Sequence, residues 1–473
     1  MRKYIYPILC TLLIVSQGCD HFLGNKPKGY AIPEAFEDYV KLLASQSLNS
    51  CMSTDAFYLT DDVHLLDDTV SAADLAYANQ DDHERNLYSF KGGQIYTPGS
   101  DDNLWNAAYE RIYTFNTIIN NVLSSTDATD AEKHRLRAEA LYQRAFEYLA
   151  LVNIYARHYH KETAATDYGI PLITKDLVDQ TYTRATVAEV YKQIEDDLKE
   201  ASKSLKEVPI NLFHPYLGSL HSFYARLYLY MGRYDDALTE AKEALKLNDK
   251  LQDLCPYQTK DKTTWGRIVL PDGTPMLEKD PEAVFVRLQS GRVTIPVSKD
   301  FLATFERNLP AGATDQRRAL FYADDTVNMG RTDYFYGETC YILYAYQNVG
   351  FSTVENMLIA AECEARVGSK DNAMSYVNKL RDNRIKNNVA LTATDKDEAL
   401  RIVLDERRRE FAFTGFHRLI DLKRLNYEDK FQKNITHTAD GETFTLAPND
   451  NRYIFPINQM ILNYNPGMPQ YER

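Results

Sequence analysis

Residues 225–245 read ARLYLYMGRYDDALTEAKEAL, and the register of their first half returns at 361–373 as AECEARVGSKDNA. In both copies a small residue is followed seven positions on by glycine and five later by alanine: Ala225, Gly232, Ala237, then Ala361, Gly368, Ala373. Together with Tyr228, Tyr234, Ala244 and Leu245, this is the pattern of two helices joined by a tight turn. Alanines let the helices touch, and glycine opens the backbone angles the turn needs. The same 3–4 spacing extends upstream. It runs through Leu104, Ala108, Ile112, Phe115, Ile119 and Val122, then through Leu136, Ala140, Leu141, Ala145, Tyr148, Leu149 and Val152. A further helix opens at Thr186 with Glu189 three residues on, the spacing of a capping box.

The Ala–Gly–Ala spacing resembles the tetratricopeptide repeat, in which stacked helix pairs share a core. Segments 104–155 and 186–231 read as degenerate pairs of the same kind. The expected fold is mainly α: a tetratricopeptide-like helical-repeat scaffold with long loop-rich insertions containing short β elements. Regions 55–103 and 250–350 break the pattern. They are rich in Asp, Gly, Pro, Thr and Tyr, with strand-like pieces at Ala283–Leu288 and Tyr341–Tyr346. Insertions of this length usually carry function. The expected division is helical repeats over 36–249 including the loop region 55–103, an insert over 250–350, and a C-terminal repeat segment over 351–473.

The first residues set the location. Arg2 and Lys3 precede an apolar run, Ile5–Val15, too short to span a bilayer but suited to a signal peptide. The run ends at Ser16-Gln17-Gly18-Cys19, which resembles a lipobox. Residues 1–18 are expected to be removed, Cys19 to be lipidated, and 19–35 to form a tether. Several acyl chains at ~0.8 kcal/mol per methylene make such an anchor effectively permanent. A net charge of −13 argues against a nucleic-acid partner. Beyond the leader, Cys51, Cys255, Cys340 and Cys363 show no metal-ligand spacing; Cys363 reads as a helix core residue.

A family resemblance now becomes specific. Trp105, Tyr109, Ile112 and Asn116 come first. Glu139-Ala140, Arg144-Ala145 and Tyr148–Leu151 follow, with Tyr168-Gly169-Ile170-Pro171-Leu172 behind them. Arg184, Thr186, Val190-Tyr191, Ile194, Asp197-Leu198 and Ala201 continue the series, and Glu406–Phe413, Gly415 and Asp421–Arg424 give a C-terminal block closed by Phe455-Pro456-Ile457 and Asn465-Pro466-Gly467. The chain resembles the SusD/RagB family nearly end to end. It departs at Thr414, at the longer Phe416-His417-Arg418 stretch, at Asn458 and in the tail Met468–Tyr471. The resemblance implies a surface lipoprotein of the outer membrane that acts as a lid on a SusC-like TonB-dependent transporter. It implies a glycan or, less often, a peptide ligand, and no catalysis.

Sugar recognition needs flat aromatic faces and fixed polar groups, and tyrosine offers both. The chain has 34 tyrosines but two tryptophans. Trp105 reads as scaffold and Trp265 as a stacking candidate. Further ligand candidates are Tyr77, Tyr88, Tyr96, Asp81 and Asn103 in the first loop region, and Tyr334, Tyr336 and Arg331 in the second. Asp82, Asp101, Tyr322 and Tyr341 share that setting. No Gly-x-Ser-x-Gly, His-Glu-x-x-His or nucleotide-binding motif occurs, so no catalytic residue, metal or cofactor is assigned. Asp324-Asp325 as a glycosidase pair reads more simply as loop charge. His158 and His160 lack a third metal ligand and read as surface residues. Arg407–Arg409 reads as a salt-bridged helix face. Four functions stay open: glycan capture first, peptide capture (which the low Trp count makes more than a formality), a surface glycosidase, and a protein–protein scaffold.

Overall fold

The structure is a computed structural model. It describes residues 33–67, 75–177, 181–260, 267–276, 280–289, 294–324, 326–328, 333–335, 338–342 and 347–473, with backbone alone at 326–328 and 333–335. Helices dominate. α1 (Phe36–Leu43), α2 (Asp82–Tyr88), α3 (Asn103–Asn121), α4 (Asp130–Tyr155) and α5 (Val187–Ala201) lead to α6 (Leu217–Tyr230) and α7 (Tyr234–Leu247). Past the second loop-rich region come α8 (Thr353–Arg366), α9 (Lys370–Asp382), α10 (Lys396–Phe411) and α11 (His417–Leu425). Packing runs from neighbour to neighbour: α3 on α4, α4 on α5, α6 on α7, α7 on α8, and α8 on α9 and α10.

The local signals do the work expected of them. Thr186 starts α5: Glu189 accepts its backbone N–H at 2.8 Å, and the Thr186 hydroxyl accepts the Glu189 N–H at 3.2 Å. Ala225, Ala237, Ala361 and Ala373 are fully buried where the paired helices meet. Gly232 has φ +70°, the left-handed region a side chain would strain. Gly368 occupies the same repeat position for another reason. Its backbone is ordinary, but a Cβ there would collide with the Glu364 carboxylate. That carboxylate accepts the Ser369 N–H at 2.9 Å and pairs with Lys242 of α7 at 2.7 Å.

Buried ion pairs cross-link the stack, and Arg144, Asp197, Glu406–Arg409, Asp421 and Arg424 among them are residues of the family motifs. Arg144 of α4 makes a bidentate pair with Asp197 of α5 at 2.8 and 2.6 Å. Arg226 of α6 holds Glu355 of α8 at 2.7 and 2.6 Å, and Arg424 of α11 holds Glu362 of α8. Glu406 accepts from Arg381, Arg409 and Arg317 at 2.7, 2.7 and 3.0 Å. Arg407–Arg409 are ion-paired as the sequence suggests, to Asp421, to Asp61, Asp62 and Asp300, and to Glu406. The triplet is interior, however, since the first loop region and α11 close over it. Cys363 is a buried core residue, and the four cysteines of the described residues are all free thiols. Among the described residues, no helix is long and apolar enough to cross a membrane.

The loop-rich regions are built onto this scaffold. Ala283–Phe285 pairs antiparallel with Phe351–Ser352, which tethers the second region to the start of α8. Thr294–Pro296, Cys340–Ile342 and Tyr322–Ala323 form a three-stranded antiparallel sheet. The expected strand pieces therefore stop short: Ala283–Phe285 and Leu288–Gln289 are separate strands, and residues 343–346 lie outside the described residues. The first region leans on a hairpin, Ile435–Ala439 with Glu442–Leu446, through His437. The ring nitrogens of His437 lie 2.8 Å from the Tyr88 and Thr60 carbonyls.

Candidate functional site

Helix α2 is short and held from outside. Its first residues pack on the helical turn Asp55–Leu59, and Glu84 accepts the Asp81 backbone N–H at 3.1 Å and the Tyr58 hydroxyl at 3.1 Å. Arg85 pairs with Asp82 and reaches the Ala78 and Gln80 carbonyls at 3.0 and 2.7 Å. The chain then loops through Tyr96 to Asp102, the N-cap of α3. One Asp102 oxygen accepts the Trp105 N–H at 3.1 Å, the cap bond that starts α3. The other accepts the Tyr96 and Tyr155 hydroxyls at 2.6 and 2.8 Å. Burial pushes the Asp102 carboxyl up against these three hydrogen bonds.

Between α2 and the start of α3 lies an open cleft of ≈650 Å³, within the range of small-ligand sites. Asp102 and Gln80 lie buried at its base, Tyr96 is half-buried, and Asp81, Asp82, Ser100, Asp101 and Asn103 stand exposed around it. Three sequence candidates, Tyr96, Asp81 and Asn103, thus meet in one place, although 22 residues separate the first loop from the last. Asp55 and His83 complete the wall. His83 sits 3.7 Å from Asp55, which raises its pKa above the ordinary value, and its ring stacks on Tyr96 at 6.4 Å and 17°. Sequence reasoning missed both. His83 beside Asp81-Asp82 could have been noticed, whereas Asp55 arrives only through the packing of α2 on its neighbouring turn.

Asp55, His83 and Glu84 each bring one ligand atom within 4.8 Å of the others, a spacing a cation would accept. The Asp55–His83 ion pair and the hydrogen bonds on Glu84 already give the trio internal partners. The chemistry on offer in the cleft is acceptor-rich hydrogen bonding beside one aromatic ring.

The other candidates fall elsewhere. Tyr88 is fully buried: its hydroxyl accepts the Leu65 N–H at 3.1 Å and donates to the Thr438 carbonyl at 3.3 Å, and its ring stacks on His437 at 4.2 Å. It is a core residue fixing the first region to the hairpin, not a ligand platform. Tyr77 is half-buried outside the cleft, its ring against Tyr88 and Phe444. Tyr322 and Tyr341 are buried in an aromatic cluster with Phe301 and Phe413. Tyr334 lies in a backbone pairing with Val327, while Trp265, Arg331, Tyr336, Asp325 and Cys19 lie outside the described residues. Trp105 packs in the core between Tyr109 and Tyr155, as its helix register implies. His158 overturns the surface reading: it is buried, because the chain beyond α4 is covered by α11 and the segment 449–454.

The helical-repeat scaffold thus carries a polar, solvent-open cleft within its first loop region. Comparison with known proteins places it. The SusD-like family described as starch-binding associating with outer membrane matches residues 42–229, and the SusD family matches residues 354–473. The chain belongs to the SusD/RagB family. A SusD superfamily protein from Bacteroides thetaiotaomicron has the same fold at TM-score 0.66 and 18% identity, over 93% of this chain and 100% of that one. One from Bacteroides vulgatus aligns at TM-score 0.67 and 18% identity, over 93% and 99%. A SusD-like carbohydrate binding protein from Bacteroides vulgatus aligns at 0.62 and 18%, over 92% and 98%. No curated protein sequence matches the chain.

Proposed function

We propose that the protein is an outer-membrane lipoprotein, anchored through Cys19, that binds an oligo- or polysaccharide and delivers it to a SusC-like TonB-dependent transporter without chemical change. The observation that carries this is the convergence of Asp81, Asn103 and the Tyr96 ring on one open cleft. Carboxylates and amides accept from and donate to sugar hydroxyls in pairs, and a tyrosine face covers the ring's C–H surface. The family's description as starch-binding supports the ligand class. A helical stack offers a broad rigid face to a transporter, and the cleft lies on loops that can vary without disturbing it.

Calorimetric titration with soluble oligosaccharides is the direct test. Binding abolished by the Asp81→Asn/Asn103→Ala double variant supports the reading, and binding indifferent to it moves the site. A parallel Trp265→Ala variant with unchanged melting decides whether that tryptophan contributes. Release of products from the oligosaccharides would overturn the non-catalytic assignment. Release of the Cys19→Ala protein from membranes is expected, and retention would overturn the anchor. A second reading has one observation behind it: the cleft wall carries Asp55, Asp81, Asp82 and Asp101 against His83 and Arg85, a balance that suits a basic peptide. Lys- and Arg-bearing peptides binding with a steep salt dependence, while sugars fail, would select it.

A further inference from the structure

A second cavity, of ≈300 Å³, lies where the chain leaves α4. Arg157, His158 and Thr163 form one side, Lys423, Asn426 and Tyr427 at the end of α11 another, and the segment 449–454 closes it. Four of its side chains carry polar atoms with no hydrogen-bond partner: His158 Nδ1, Thr163 Oγ1, Asn426 Nδ2 and the Tyr453 hydroxyl. His158, Asn426 and Tyr453 are 5%, 2% and 2% exposed. The Tyr453 hydroxyl and the Asn426 amide face each other too loosely for a hydrogen bond of normal geometry. Buried groups left unpaired cost ~1–3 kcal/mol each, so a cluster of this kind points to something that completes it.

The charges decide what. The Lys423 ammonium donates to the Asn153 and Ala156 carbonyls at the C-terminus of α4, where the helix dipole favours a cation. Arg157 pairs with Asp167 at 3.1 Å, and Asp450 with Arg452 at 2.6 Å. The Arg157 and Asp450 charges are thus paired, while Lys423 meets only carbonyls and burial lowers its pKa to about 7. His158 faces the Tyr230 carbonyl with its other ring nitrogen, and burial, with Lys423 behind it, lowers its pKa to about 3. The ring is therefore neutral, and Nδ1 is an acceptor. The inventory is neutral and mixed: an amide donor, an imidazole acceptor, and two hydroxyls that serve as either. Hydroxylated rings present that same mixture, and Tyr427, stacked on His160 at 4.5 Å, supplies aromatic surface at the rim.

We propose that this cavity is a second ligand site, separate from the Asp81–Asn103 cleft, which seats one neutral polyhydroxylated ring of monosaccharide size. Asn426 and Tyr453 donate to its oxygens, His158 Nδ1 accepts, and the Thr163 hydroxyl does either. The proposal stands on the donor and acceptor inventory and holds whichever ligand the cleft takes.

Saturation-transfer NMR on the full chain, with the methyl α-D-pyranosides of glucose, galactose and mannose and with glucuronate as probes, tests it. At least one methyl glycoside should bind with a Kd of about 1 mM or tighter, as a few neutral hydrogen bonds allow. Thr163→Val with Tyr453→Phe should weaken it at least about tenfold, two hydrogen bonds at ~0.5–1.5 kcal/mol each. The Thr163 hydroxyl has no partner in the fold and that of Tyr453 only a loose approach to Asn426, so the melting temperature should hold and lost binding cannot be ascribed to unfolding. Asp81→Asn/Asn103→Ala should leave this binding unchanged. Binding lost only in the cleft variant, binding of glucuronate alone, or no signal from any neutral glycoside would each overturn the proposal. The last result would mean that ordered water fills the cavity.

Discussion

The interior around Glu406 and the cleft around Asp81 use the same residue types to opposite ends. At Glu406 every carboxylate oxygen meets a guanidinium, and Arg317, Arg381 and Arg409 are each below 4% exposed. Burial alone would raise its carboxyl, but the three arginines overcome that and hold it far below the carboxylate range. At the cleft, Asp81, Asp101 and Asn103 stand exposed around a base of satisfied groups. The first arrangement locks helices together, since a buried charge without its partner is expensive. The second leaves acceptors free for whatever enters. What separates scaffold from site is whether the charges find partners inside the fold.

The sharpest break comes from Glu406→Ala. It would strand three buried guanidiniums and should cost ~3–5 kcal/mol by urea denaturation, or prevent folding. The matched cleft change, Asp101→Ala at an exposed position that caps no helix, should stay within about 0.5 kcal/mol. Equal effects from both would erase the distinction.

Acid should unpick the scaffold first. Burial raises the Glu362 carboxyl, yet Arg424 and Arg366 bring it down to about 2 from 4.5. Its folded pKa is depressed, so its contribution is complete above the unfolded value of about 4.5 and is lost as pH falls towards 2. By linkage that is about 3 kcal/mol. His158 acts in the same direction from higher pH: below 6.5 the unfolded chain takes up a proton that the folded ring, at about 3, refuses. Stability should therefore decline from about pH 6.5 and steepen below 4.5 in denaturant melts. Glu362→Gln should lower stability at pH 7 and flatten the lower limb, and an unchanged limb would remove Glu362 as its cause.

The two repeat glycines give a smaller contrast. Gly232→Ala forces a side chain into left-handed backbone at ~1–2 kcal/mol, and Gly232→Asn should recover part of that because asparagine tolerates the region. Gly368→Asn should recover nothing, because there the obstacle is the pinned Glu364 carboxylate. Thermal melts of these three variants and of Gly368→Ala would show it.

That pair also marks how far the sequence could be read. The Ala–Gly–Ala spacing is legible because helix contact and turn impose it within a dozen residues, and the Thr186–Glu189 cap is legible for the same reason. The two different causes behind Gly232 and Gly368 are invisible in it, since one depends on a side chain five positions from Ser369 and a lysine on another helix. Tyr88 and Tyr96 look alike in a loop of mixed composition. Only the docking of the 435–446 hairpin buries one while the other reaches the cleft. His158 reads as surface until α11 and the segment 449–454 cover it, because burial by distant chain leaves no periodic trace.

The smallest effect on stability should be the most informative for function. Tyr96→Phe removes one of the three hydrogen bonds on Asp102 while leaving the ring, so it should cost about 1 kcal/mol or less. The Asp102 carboxylate keeps Tyr155 and the Trp105 N–H, so α3 should stay capped. If the cleft binds sugar through the ring face, Tyr96→Phe should bind oligosaccharide within about twofold of the parent, while Tyr96→Ala should lose about tenfold or more, an aromatic contact being worth ~0.5–1.5 kcal/mol beyond its area. If both variants lose binding equally, the hydroxyl and its hold on Asp102 matter more than the face. The cleft would then resemble the Glu406 interior, acting through a fixed hydrogen-bond network in place of an open surface.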